Sequence, residues 1–209
     1  MKWGMRVSEL KFSNRILRRF VETVAAELGA NQFQVMLGLC TLPLEWAEPE
    51  TILKMTPEDS AKAYASLQSA IRTYFGRGAR GVLLRVGQRL WDHLLGDASF
   101  GIKAQSAVIK RLPFAIRRKS ALELLAKILG AQSSDITLHT LDLDLLLVDH
   151  ASPAADGQHD STPICYVTQG LIRENLYWAT EQEYDIEETS CKARGHHACE
   201  FKIMAGKTQ

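Results

Sequence analysis

The sequence predicts an α+β fold in which N-terminal helices pack on a small antiparallel sheet, and three observations point there. Between 14 and 129, apolar residues recur at spacings of three and four, the period of helices with one buried face. At 141–147 the period drops to two, with Leu141, Leu143, Leu145 and Leu147 alternating with Asp142, Asp144 and Leu146, as a strand requires. Two further extended runs flank Arg194-Gly195-His196, the layout of a closing hairpin. A run of helices followed by a run of strands is an α+β order.

The first helix spans 14–29, with Ile16, Leu17, Phe20, Val21, Val24 and Leu28 on one face, Ser13 as its cap and Gly29 at its end. Residues 31–55 contain Gly38, Pro43 and Pro49 and read as loop with a short helix or strand. Thr56-Pro57-Glu58-Asp59 is a strong helix start, with a capping hydroxyl, proline at the first helical position and acids near the positive end of the dipole. Its stripe, Tyr64, Leu67, Ile71 and Tyr74, runs to Gly76. The next helix, 79–95, aligns Leu83, Val86, Leu90 and Leu94. The glycines at 76, 78, 81 and 87 read as loop freedom and close helix packing rather than a phosphate cradle, which needs a preceding strand. Helices fit 101–112 and 114–129 on either side of Pro113. After the strand at 141–147 comes a loop at 151–162, a helix from Pro163, and strands at about 183–193 and 198–204. A division follows: 1–97 as a helical region that dimerises or covers a pocket, and 98–209 as the domain carrying the site.

The chain has 209 residues, 46% apolar and 23% charged, ordinary globular values that exclude a disordered or low-complexity chain. A net charge of +1 gives no global reason to bind nucleic acid. No apolar run approaches a membrane span, and Met1–Arg6 leads into a polar stretch without a signal-peptide core, so a soluble, cytoplasmic protein is expected. Charge is segregated. Residues 98–122 hold six basic residues and no acid, from Lys103 to Lys119, whereas 135–188 hold twelve acids and only Arg173. These are either two solvated faces or complementary surfaces for self-association.

Four cysteines are present, and Cys165, Cys191 and Cys199 fall late in the chain, apart from Cys40. If the hairpin turn centres on Gly195, Cys191 and Cys199 face each other on one side of the sheet, close enough to share a metal ion. The same geometry suits a disulfide, and buried free thiols are also compatible. Cys165, near a helix start, could add a third sulfur. Pleat alternation favours Glu187 as a fourth ligand, because an offset of four from Cys191 keeps the face, while Glu188 needs a bulge near Thr189-Ser190. His196 and His197 are rivals at the turn.

The run Pro163-Ile164-Cys165-Tyr166-Val167-Thr168-Gln169-Gly170, then Glu188-Thr189-Ser190-Cys191-Lys192-Ala193-Arg194-Gly195 and Cys199-Glu200-Phe201, resembles the 4-vinyl reductase domain family. That family's signature is a Cys and a Gly on a helix, then Glu-Thr-x-Cys-x-Ala-x-Gly, then Cys-x-Phe. Gly76–Trp91 is similar, more loosely, to the N-terminal part of some bacterial members. The family includes sensory domains of phenol- and toluene-responsive activators, hydrocarbon-binding proteins, and a protein linked to bacteriochlorophyll synthesis. The resemblance implies a structural zinc ion held by Cys165, Glu188, Cys191 and Cys199. It therefore prefers Glu188 to Glu187. It also implies homodimers and a fold related to vesicle-transport subunits and haem nitric-oxide domains, which hold a ligand between helices and sheet. A second glycine is common four residues after Gly170, and here Glu174 stands there, which puts a close helix contact in doubt. The His and Trp that read phenol in the sensors have no anchored counterpart, though Trp91, His93 and Trp178 are available. Gln169, Ile172, Leu176, Trp178 and Ile186 are the candidate pocket residues.

Three thiolates and a carboxylate leave no open position on zinc, so such a site is structural. No nucleophile elbow, dinucleotide motif or P-loop lysine is present. Asp142 and Asp144 are expected to face solvent rather than form an acid–base pair. The expected function is a zinc-stabilised sensor or carrier domain for an apolar or aromatic small molecule, a tetrapyrrole being one candidate, signalling through a protein partner. The alternative is an enzyme or accessory protein at the vinyl-reduction step of (bacterio)chlorophyll synthesis.

Overall fold

The computed structural model describes residues 10–130 and 132–204. The N-terminal stretch Met1–Arg6, read above for a targeting signal, lies outside them.

Eight helices and four strands are described. The helices are α1 (Asn14–Leu28), α2 (Ala30–Leu39), α3 (Pro49–Leu53), α4 (Pro57–Phe75), α5 (Ala79–Asp97), α6 (Phe100–Ile109), α7 (Phe114–Leu129) and α8 (Tyr166–Thr180). The strands β1 (Ile136–Leu141), β2 (Asp144–Asp149), β3 (Ile186–Ser190) and β4 (Cys199–Ile203) form one antiparallel sheet in the order β1-β2-β4-β3. The fold is α+β, with the helices and the sheet sharing one continuous apolar core.

The helical stripes lie where the period of three and four puts them. Ile16, Leu17, Phe20, Val21 and Val24 are buried on α1, and Leu83, Val86, Leu90 and Leu94 on α5. Thr56 caps α4, its hydroxyl accepting from the Asp59 N–H at 3.1 Å and donating to the Asp59 carboxylate at 2.8 Å. Ser13 occupies the corresponding position before α1 but makes no side-chain cap bond.

Three expectations need correction. Residues 31–55 are more helical than their glycine and prolines suggested: α2 buries Phe33, Met36 and Leu37 at helical spacing, so packing outweighs Gly38. The alternating run at 141–147 is not one strand. It crosses the β1–β2 turn, where Leu141 pairs with Asp144 and Asp142 takes a left-handed φ of 54°. Only Leu145 and Leu147 reach the core, while Leu143 is 76% exposed. Asp142 is exposed as expected, but Asp144 is half-buried, 3.2 Å from the Lys202 ammonium. Finally, α8 starts at Tyr166, three residues after Pro163, because Cys165 holds a non-helical φ/ψ of −83°/46°.

α5 and α8 cross in backbone contact, across the division expected near residue 97. A Cβ on Gly87 would lie 2.2 Å from the Val167 carbonyl oxygen, and one on Gly170 would lie 2.2 Å from that of Leu84. Either added Cβ would also lie 3.0 Å from the Cα of the other glycine. No other residue lets two helices approach this closely. Glu174, one turn beyond Gly170, is half-buried rather than wedged into the crossing. Its pKa is raised by burial and by Asp92 of α5.

Helix α8 ends on Glu181, whose φ of 59° is left-handed, with its N–H bonded to the Tyr177 carbonyl at 2.7 Å. A Cβ is strained there, and Glu181 is exposed. Glu181→Gly should therefore stabilise the protein by about 1 kcal/mol, a rise of roughly 2–4 °C in thermal melting. A lower melting temperature would contradict this account of the helix end.

Candidate metal centre

Four segments converge behind the α8 N-terminus. The Pro163–Cys165 approach delivers Cys165, β3 delivers Glu188, the turn after β3 delivers Cys191, and β4 opens with Cys199. All four residues are buried, and their ligand atoms lie within 4.8 Å of one another. Cys165 Sγ is 3.5 Å from Cys199 Sγ and 4.0 Å from Cys191 Sγ, and the last two are 4.0 Å apart. These are free thiols, not a disulfide.

The backbone irregularity that Glu188 requires is present. Ile186, Glu187 and Glu188 pair with Ile203, Lys202 and Phe201, but Ser190 pairs with Glu200, so the register shifts between Glu188 and Ser190. The extra residue turns both Glu188 and Cys191 inward and leaves Glu187 exposed. Cys191 and Cys199 are not ladder partners about Gly195. Residues Lys192–Arg194 form a 3-10 turn closed by Gly195 at a φ of 88°, and Cys199 pairs instead with Asp149 of β2. His196 and His197 are exposed outside the cluster. His196 Nδ1 accepts the Cys191 N–H at 2.9 Å and so braces the turn.

The donor set fits a tetrahedral ion. Zn–S bonds of about 2.3 Å put sulfurs about 3.8 Å apart at the corners of a tetrahedron, between the distances found here. One carboxylate oxygen of Glu188 accepts the Cys165 N–H at 2.9 Å. The other, Oε1, is buried without a hydrogen-bond partner, a costly state unless a cation meets it. Ser152 Oγ lies 3.6 Å from Cys165 Sγ, and the Lys192 N–H lies 3.4 Å from Cys199 Sγ, contacts that suit thiolates.

Without a cation the cluster holds its protons. Burial, then the neighbouring Cys191 charge, raises the Glu188 carboxyl to about 8. Hydrogen bonds to Cys191 and Cys199, with burial, push Cys165 well up. At Cys199 the Cys165 contact lowers the pKa, but the Cys191 contact and burial outweigh it and push it to about 12. Cys191 goes down, because Cys165 and Cys199 both donate to it. One anion is thus shared among four groups that could all be ionised around a divalent ion.

Cys40 takes no part, its Sγ lying 3.7 Å from the Ala70 carbonyl. Of the five candidate pocket residues, four are buried and Trp178 is half-buried. Gln169 donates to the Ile186 carbonyl at 2.6 Å, tying α8 to β3. Ile172, Leu176 and Ile186 are buried. Trp178 stands edge-on to Trp91 at 5.5 Å, with Lys110 Nζ 5.1 Å above its ring. None of the five lines the spaces described. Those are a cleft of about 280 Å³ between α1, α5, α6 and α7, a second of about 240 Å³ bordered by Arg15, Arg18, Leu53 and Asp97, and an inner cavity of about 30 Å³ bounded by Tyr64, Asp149 and Thr168, enough for one or two waters. Their walls combine residues from both ends of the chain, and no local motif marks them.

Residues 149–205 match the 4-vinyl reductase domain family. Among solved structures, the chain is similar to an unliganded Fe(II) H-NOX protein mutant from K. algicida, at 13% identity and a TM-score of 0.58, covering 92% of this chain and 95% of that one. It is also similar to an H-NOX domain from Shewanella oneidensis in the Fe(II)CO state, at 15% identity and a TM-score of 0.52, covering 95% and 100%. These likenesses are of fold. The phenol-bound sensory domain of the transcription activator PoxR aligns at 14% identity and a TM-score of 0.48, over 68% of this chain and 72% of that domain. No curated protein sequence matches. No helix among the described residues is long and apolar enough to cross a membrane.

Proposed function

We propose, taking residues 149–205 as a 4-vinyl reductase domain, that this chain is a zinc-stabilised module that binds an apolar or aromatic small molecule and performs no chemistry on it. The carrying observation is the closed set Cys165, Glu188, Cys191 and Cys199, with the buried Glu188 Oε1 lacking a partner. Four protein ligands leave zinc no vacancy for water or substrate, so the ion is structural. It would tie the start of α8 to β3, the turn and β4. The inner cavity is walled by Thr168 and Leu171 of α8 and by Asp149, the β2 partner of Cys199. The metal thus holds the inner wall of the ligand space. Residues 1–97 supply α1 and α5 to its outer walls, the role of a pocket cover.

Native mass spectrometry tests this. One zinc ion per chain and a retained small molecule are expected. A homodimer mass is expected too, supported by the separation of the basic stretch 103–119 from the acid-rich 135–188. Protein that folds fully without metal, or turnover of a vinyl-bearing tetrapyrrole with added reductant, would overturn the reading.

Zinc uptake should release protons. At neutral pH the metal-free cluster retains them on Cys165, Cys199 and Glu188, and thiolate and carboxylate ligation expels them. Affinity should therefore rise with pH and collapse on acidification. Titration calorimetry in buffers of different ionisation enthalpy measures the release, and a buffer-independent heat would count against this ligand set.

A further inference from the structure

The cleft and the inner cavity lie against a common wall of Lys11, Ile16, Leu129 and Gly130. Lys11, Arg15 and Lys127 are exposed on the cleft wall, and none forms an ion pair among the described residues. Lys127 donates only to the Gln105 side-chain oxygen, at 3.1 Å. The acid at the mouth, Asp97, is taken up by both Arg19 Nε and a terminal Arg19 nitrogen. The inner cavity is bordered by Asp135 and by Asp149, whose carboxyl burial pushes up to about 7. The deeper wall of the cleft is aliphatic, with Ile16 and Leu94 buried and Ile128 and Leu129 half-buried.

A carboxylate at the cleft is attracted by these exposed cations and loses hydration if it moves onto the aliphatic wall. An apolar body gains by leading inward, where it displaces water from aliphatic wall. The two tendencies together select a molecule with separate apolar and anionic parts and fix which end goes first. At about 280 Å³ the cleft suits a ligand of two fused rings rather than a large macrocycle.

We propose that the cleft between α1, α5, α6 and α7 binds a ring-sized apolar molecule bearing one carboxylate, held with the carboxylate outward against Lys11, Arg15 and Lys127. This names the ligand class for the small-molecule reading above and rests on it. The cations are at the surface, so their contribution is modest and salt-sensitive. It appears as a preference between otherwise similar ligands.

The experiment titrates the full chain, at neutral pH and low ionic strength, with 2-naphthoate and with the neutral 2-naphthol, following ligand fluorescence. 2-Naphthoate should bind at least about tenfold more tightly, and the advantage should shrink as salt shortens the screening length. Lys11→Gln/Arg15→Gln/Lys127→Gln should erase that advantage, so that the variant binds the two probes equally. Ser99→Trp should weaken both ligands at least about tenfold by filling the mouth. Its folding cost is small, since Ser99 is exposed and makes no cap bond. If both probes bind equally and Ser99→Trp blocks both, the cleft is a small-molecule site and the carboxylate assignment falls. An advantage that survives the triple variant also sinks the assignment. If neither probe binds, or Ser99→Trp changes nothing, this cleft is not the site, while the zinc-stabilised reading stands or falls on native mass spectrometry.

Discussion

Cys191→Ala protein should purify without zinc and melt at least about 8–16 °C below the parent, a loss of about 4 kcal/mol or more. Structural zinc contributes about 10–16 kcal/mol in small sites, comparable to the whole stability of a domain. Cys165 and Cys199 would face each other across an emptied corner, and the buried Glu188 carboxylate would lose the cation that compensates it. The loss should be local first. Amide exchange should quicken in β3, the turn at 191–198 and β4, while α1 and α4, which meet through Phe20 and Tyr64, stay protected. A strong chelator should produce the same pattern in the parent. Cys40→Ala should change neither metal content nor the hairpin, since Cys40 lies outside the cluster. A Cys191→Ala protein with undiminished melting temperature would remove the metal from the account of stability.

Gly170→Ala and Gly87→Ala should each destabilise by about 3 kcal/mol or more, with thermal melting some 6–12 °C lower. The sign carries the information. Inside a helix, glycine to alanine ordinarily gains up to about 1 kcal/mol. Here the new methyl would meet a backbone carbonyl at 2.2 Å, and a carbonyl held in a helix cannot rotate away. The helices must separate, opening gaps beside Leu83, Val86 and Leu171. The double variant should cost much less than the sum of the singles, because a crossing already forced apart has room for the second methyl. Chemical denaturation of the four proteins gives the cycle. Additive losses, or a gain in either single, would refute the contact as described.

Much of this was legible in the chain, and the failures have physical causes. Helical stripes on α1, α4 and α5 show because each buries one face against the rest of the protein. The late cysteines stood out because three thiols beside a glutamate have few uses in a core. Gly87 could be read as a place of close packing, but its partner, Gly170, lies 83 positions on, and pairing at that distance leaves no local mark. The hairpin was hidden because leucine alternation continues through the turn: Leu143 has the residue type of a core position and the location of a tip. The five pocket candidates lie on α8 and β3, whereas the cleft draws its wall from α1, α5, α6 and α7, and the inner cavity adds Ile136 of β1, Asp149 of β2 and Thr168 and Leu171 of α8. The irregularity beside Glu188 was foreseeable only from the ligand pattern, since pleat alternation alone argues for Glu187.

The strand order has a consequence for synthesis. β4, the fourth strand to leave the ribosome, occupies the middle of the sheet, between β2 and β3. Until it emerges, the nascent β1–β2 hairpin shows an unpaired edge at β2, and β3 has no neighbour to dock on. The helices can gather early, but sheet closure waits for residues 199–203, which also bring the last sulfur. Chains stalled before that point should be captured by chaperones through the open edge of β2.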